Sequence, residues 1–206
     1  MSTVLQGLGA FFLSAVLAIF AQNAVLSRAL GVSRLVKLVR DGSSFLQFAG
    51  LLTVIQLLCV PVVYYANGLL ADFALRSAVR PLVMVLASGA AMGLVWLVLN
   101  RLLVRLAGPE RVKELSEALP LAAFNCAVLG TLLVTVTQSY TLVQSLGFAL
   151  GSGVGYAGAL AVVGQAQDRL NDRDVPSSFR GLPITLVYLG ILALAIYGFT
   201  GHMVVI

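Results

Sequence analysis

The sequence predicts an all-α integral membrane protein of six transmembrane helices, arranged as an inverted three-plus-three repeat with interrupted helices. Three observations predict it. Of 206 residues, 60% are hydrophobic and 10% are charged, with the charges in clusters, a balance far more apolar than that of a soluble domain. Charge-free runs cover 1–27, 42–71, 81–100, 118–167 and 181–206, and each can cross a bilayer that needs about 20 residues of helix. The fourth run would reach roughly 75 Å as one helix, more than twice the hydrocarbon thickness. The polar stretch Thr137-Gln138-Ser139-Tyr140-Thr141 therefore divides it. Six spans result, in a single transmembrane domain over 1–206, with repeat 1 at about 1–100 and repeat 2 at about 118–206.

Orientation follows from the basic residues. The first, third and fifth loops carry eleven of the thirteen lysines and arginines, and the opposite side carries only Arg76 and Arg80. The positive-inside rule makes those three loops cytoplasmic and puts both termini on the outer side of a multi-pass protein of the cell (inner) membrane. The formal charge of +5 thus reports topology, and no nucleic-acid partner is expected. The first apolar run lacks the basic lead and small-residue cleavage site of a signal peptide. Cys59 and Cys126 both fall inside spans, which excludes a secreted disulfide framework.

Span one begins near Val4 and is apolar to Ala21, then meets Gln22-Asn23 where helix should still lie in lipid. Two readings stand. The helix is discontinuous, its polar side chains bonding freed backbone groups, or it ends at Gln22 and Leu26 to Leu35 is an interfacial amphipathic helix with snorkelling Arg28 and Arg34. Span two runs from about Phe45 to Ala66 and closes on Tyr64-Tyr65, an interface pair. Span three, Pro81 to Asn100, carries Gly89 and Gly93, a spacing that permits close helix approach, with Trp96 near its end. The charged third loop follows, from Arg101 to Glu117, broken by Ala107-Gly108-Pro109. Span four opens at Leu119-Pro120, with Pro120 in a first-turn position. Span five, about Leu142 to Gln165, holds Gly147, Gly151, Gly153, Gly155 and Gly158, a face suited to a neighbouring helix or a bound group. A loop of mixed charge then leads through Val175-Pro176 into span six, Leu182 to about Phe199.

The candidate site lies in span four, where Asn125 and Cys126 stand side by side within an apolar segment. A carboxamide in hydrocarbon is costly unless paired, and the thiol is either a small apolar filler or a soft metal ligand. Asn23-Ala24-Val25-Leu26 in span one is echoed by Asn125-Cys126-Ala127-Val128-Leu129 in span four, with one residue inserted. Three spans per half force the second half into opposite orientation, and inverted repeats of this kind place their site near the midplane between interrupted helices.

These residues resemble the RnfA/NqrE membrane subunits of the Rnf and Na+-translocating NADH:quinone oxidoreductase complexes. The matching stretches are Gln22-Asn23 through Leu30-Gly31 with the basic run after it, Leu119-Pro120-Leu121 through Asn125-Cys126-Ala127-Val128-Leu129-Gly130, Gly147 to Gly155, and Asp174-Val175-Pro176 through Phe179-Arg180-Gly181. The resemblance implies an RnfE/NqrD-like sister subunit packed against the chain, together with other Rnf/Nqr subunits and the lipid membrane. It also implies a [2Fe-2S] cluster buried between the two sisters, each supplying one cysteine from each half. Cys126 matches the second ligand position and is the expected metal ligand, with Asn125 and Asn23 as neighbours in the cofactor site. The first position departs from the family: its Leu-Gly-x-Cys reads Leu30-Gly31-Val32-Ser33 here. A Ser hydroxyl is harder and far less acidic than a thiol and a poor substitute for thiolate.

The function expected from this resemblance is that of a non-autonomous subunit of a redox-driven ion translocase, an Rnf-type ferredoxin/NAD(H) oxidoreductase, carrying electrons across the membrane through the shared cluster. Two alternatives stand beside it: a cofactor-free scaffold in the same complex, and a small secondary transporter, for which broken helices and Gly-rich spans are equally good material. The spans contain no carboxylate to couple ions, and the chain shows no phosphate-binding loop, flavin motif or nucleophile-base pair. No catalytic residue is expected.

Overall fold

The computed structural model describes residues 2–32, 45–72, 74–103, 109–170 and 175–200. Among them the chain is helical without strands: α1 (Ser2–Ile19), α2 (Phe45–Leu69), α3 (Arg76–Val98) continuing into a π-helical turn (Leu99–Leu103), α4 (Pro109–Ala123), α5 (Cys126–Thr137), α6 (Leu142–Leu170) and α7 (Leu182–Thr200). Three segments are long and apolar enough to cross a bilayer: Leu46–Leu69, Arg76–Arg101 and Leu142–Ala166. A fourth qualifies only as the broken pair Val112–Ala123 and Cys126–Thr137, bent by 47°. The first and last apolar helices, Leu5–Ile19 and Leu182–Gly198, are shorter, so among the described residues length and composition alone establish three crossings, or four with the broken pair.

The glycines of α6 decide where α1 lies. A side chain at Gly147 would strike the Phe11 carbonyl, one at Gly151 the Ala15 carbonyl, and one at Gly155 would stand 2.7 Å from Asn23 Nδ2. Glycine at every fourth position therefore lets the α1 backbone lie directly on α6, and the Ser14 hydroxyl donates to the Gln144 carbonyl at 2.9 Å. Gly153 does the same for α2, where Thr53 fills the space. The glycine face thus serves helix packing, one of the two uses the sequence left open. Phe48, Leu52, Ile55, Leu119, Leu132, Tyr156 and Leu160 are buried in one apolar cluster.

Two expectations need correction. Pro120 does not open a span but lies in the last turn of α4, which starts eleven residues earlier at Pro109. The charged end of the third loop is helical because Val112 and Leu119, seven residues apart on one face, are buried while Lys113, Glu114 and Glu117 stay at the surface, the pattern of a helix with one covered side. Span one likewise stops at Ile19, two residues early. Leu26 to Gly31 form turns, which removes the interfacial helix from Leu26 to Leu35 as far as Gly31. The remainder of that helix, and Ser33, lie outside the described residues.

Candidate functional site

The two stretches that echo each other in sequence are both breaks in helix. After α1, the chain turns through 20–31 with Asn23 buried at its centre. The Asn23 carboxamide donates to the Ile19 carbonyl at 2.8 Å and accepts from the amides of Val25 at 2.9 Å and Leu26 at 3.1 Å. Backbone groups released by the end of α1 are thereby paired within the segment itself, as an apolar surrounding demands. The chain then passes through left-handed conformations at Ala29 (φ 54°) and Gly31 (φ 77°).

The second break is shorter. Asn125 is extended, with φ −74° and ψ 136°, and its side chain accepts from the Ala127 amide at 2.9 Å, which makes it the N-cap of α5. The carbonyl freed at the end of α4, that of Ala123, accepts a short hydrogen bond from the Ser88 hydroxyl of α3. Asn is a favoured N-cap because its side-chain oxygen replaces the missing helical acceptor.

Cys126 is the first residue of α5 and is exposed, as are its neighbours Leu121 and Phe124, although Asn125 and Ala127 beside it are buried. Its sulfur accepts a hydrogen bond from the Gly31 amide at 2.9 Å. The two breaks therefore touch: Leu30 packs onto the bare backbone of Gly130, and Tyr156 of α6 lies behind both, its hydroxyl 3.4 Å from the Gly31 carbonyl and 3.5 Å from Asn125 Nδ2. Of the expected site residues, Asn125 and Cys126 meet the first-half turn that begins at Asn23. Asn23 itself caps that turn beneath Gly155.

Sequence reasoning does not single out Tyr156, the Gly31 amide or Ser88. Gly31 belongs to a matched motif, but a backbone donor leaves no mark in side-chain chemistry. A further polar knot also escapes it: Gln56, fully buried, donates to Thr131 Oγ1 at 3.1 Å, and Thr131 and Ser152 share a hydrogen bond of 2.7 Å. Cys59 is fully buried in the apolar core. A cavity of about 350 Å³ opens instead at the far end of α5, among Tyr64, Tyr65, Asn67, Ser139 and Tyr140, away from either thiol.

The donor set sets limits on a metal group. Among the described residues no three His, Cys, Asp or Glu side chains come together, so a four-ligand iron-sulfur cluster cannot be held by these residues alone. The exposed Cys126 thiol, facing an N–H donor, supplies one of the two ligands that the resemblance asks of this chain, and the described residues bring no second ligand beside it.

Known proteins share this sequence over most of its length. A family described as Rnf-Nqr subunit, membrane protein, matches residues 11–203. The chain is 26% identical over 184 residues to a subunit of the Na(+)-translocating ferredoxin:NAD(+) oxidoreductase complex of Acetobacterium woodii, covering 89% of this chain and 93% of that protein. It is 44% identical over 100 residues to a subunit of the ion-translocating oxidoreductase complex of Syntrophotalea carbinolica, covering 48% of this chain and 52% of that one. The corresponding Pasteurella multocida protein is 34% identical over 122 residues, covering 59% and 61%. In the Syntrophotalea match the chain spans about half the length of its relative. With the family matched over nearly its whole length and the candidate thiol placed at a helix break, this chain belongs to the Rnf-Nqr family of membrane protein subunits.

Proposed function

We propose that the chain is a subunit of an Rnf-type ion-translocating ferredoxin/NAD(H) oxidoreductase and helps carry electrons across the membrane through a [2Fe-2S] cluster shared with an RnfE/NqrD-like sister subunit. The observation that carries this reading is the exposed Cys126 thiol, set by its N-cap at a break within an apolar span. The names of the relatives support the complex, and the exposed Leu121 and Phe124 beside the thiol support a protein partner there. The proposal includes an inverted repeat related through the two breaks, and both termini outside a cell (inner) membrane, on the eleven-to-two partition of basic residues.

When bound, such a cluster supplies a one-electron carrier inside the bilayer. The chain's own residues prepare its seat. Asn125 fixes the start of α5 and hence the direction of Cys126, the Gly31 amide donates to the sulfur, and the buried apolar residues around Ala127 and Val128 exclude water.

The test uses the assembled complex. Cys126→Ser is expected to abolish the [2Fe-2S] electron paramagnetic resonance signal and transmembrane electron transfer, with Cys59→Ser leaving both nearly intact. Ser33→Cys is expected to tighten cluster retention, because it offers the softer ligand. Full iron content and full activity in Cys126→Ser would make the residue packing and the chain a cofactor-free scaffold of the complex.

A further inference from the structure

The cavity of about 350 Å³ at the far end of α5 is walled by the last turns of α2 and α5 and by the chain entering α6. It is many times the ~30 Å³ share of one water and lies in the range of small-molecule sites, about 300–1,000 Å³. Its polar lining comes from tyrosine, serine, threonine and asparagine, with no carboxylate and no amine. Tyr64 and Tyr65 stand at the end of the bilayer-crossing segment Leu46–Leu69, where tyrosine marks the level of lipid headgroups.

Two observations give the cavity a chemical preference. Ser145, only 1% exposed, lines it with a hydroxyl that has no hydrogen-bond partner, and a buried hydroxyl is costly until something completes it. Asn67 lies between this cavity and Arg80 of α3. Its Oδ1 accepts from Arg80 Nε at 2.9 Å, which leaves the amide nitrogen, a donor, as the group it can offer. A small recess lined by Arg80 adjoins the cavity and shares Asn67 and Val136 with it. Hydroxyl, amide N–H and guanidinium together favour a ligand rich in acceptors and carrying negative charge.

We propose that this cavity binds the headgroup of an anionic glycerophospholipid with a polyol end, the chemistry of phosphatidylglycerol. At headgroup depth the acceptor-rich anion at hand is the lipid phosphodiester, and a basic residue between membrane helices is the usual means of holding one. Arg80 attracts the phosphodiester, with the Asn67 amide beside it. The glycerol hydroxyls enter the cavity, where Ser145 and the tyrosines can both donate and accept. An ammonium headgroup finds no carboxylate in this lining. The site is separate from Cys126 and from any group bound there.

The test uses the assembled complex in nanodiscs containing phosphatidylglycerol with a diazirine on the acyl carbon next to the ester, which leaves the headgroup intact. After illumination, peptide mapping is expected to find lipid attached within 64–68 and 139–145 of this chain. Excess unlabelled phosphatidylglycerol is expected to compete the labelling away, whereas phosphatidylcholine and phosphatidylethanolamine of the same acyl chains, and free glycerol phosphate, are not. Arg80→Gln is expected to lower the labelling about fivefold, the loss of one cation near a headgroup. Ser145→Leu, which fills the cavity, is expected to remove it. Equal competition by the zwitterionic lipids would make these residues ordinary lipid boundary and overturn the proposal. Competition by glycerol phosphate would overturn the lipid assignment in favour of a soluble phosphate ester. Absence of labelling in both segments, with crosslinks to another subunit in its place, would show a protein partner covering the cavity and would also overturn it. Labelling and competition use the unmodified complex, so they decide the matter even if a variant fails to assemble.

Discussion

The two helix breaks solve one problem in different ways. Both interrupt a helix among apolar residues, and both use an asparagine whose side-chain oxygen accepts from an amide two residues on. At Asn23 the repair is local: one side chain pairs three backbone groups over a turn-rich stretch. At Asn125 the repair is divided, the amide going to Asn125 and the carbonyl to Ser88 on another helix. A local repair permits a long irregular segment, whereas a divided one keeps the bend sharp and ties it to the bundle. The sharp break presents the sulfur and the long one presents the donor.

If this contrast is right, the two asparagines are unequal. Asn23→Leu is expected to cost the most, roughly 3 kcal/mol from three backbone groups left unpaired at about 1 kcal/mol each. Thermal unfolding of the purified complex, followed by intrinsic fluorescence, checks it. Asn125→Leu is expected to cost about 1–2 kcal/mol, the loss of one N-cap, and a larger effect than that of Asn23→Leu in the same assay would reverse the comparison. Ser88→Ala is the mildest, about 1 kcal/mol for one buried carbonyl. It also sharpens the idea of a divided repair: the double variant with Asn125→Leu should cost less than the sum of the two singles if the two ends of the break support each other, because either single variant already loses that coupling.

Much of this was legible before the fold. The helices that run between charge clusters, α2, α6 and α7, begin within a residue of where composition places them, because a charged or polar residue marks each boundary. The glycine spacing of span five and the Asn23/Asn125 echo were also visible, since each rests on side-chain identity at fixed intervals. Pro120 misled because proline suits a first turn, whereas here it stands inside the last turn of α4, three residues from the helix end that the cap at Asn125 follows. Tyr156 gave no signal at all: an aromatic residue on an apolar helix reads as core, and its meaning depends on a glycine 125 residues away.

The seam between α1 and α6 also bears on how the chain is made. The face on which α1 rests is built from Gly147, Gly151 and Gly155, and the Ser14 to Gln144 hydrogen bond joins residues 130 positions apart. During synthesis the first helix leaves the ribosome with its permanent neighbour still untranslated. Its docking waits until α6 emerges, so a helix made early is among the last to find its place. The turn at Asn23 to Gly31 acquires its place against Cys126 only when that late docking is complete.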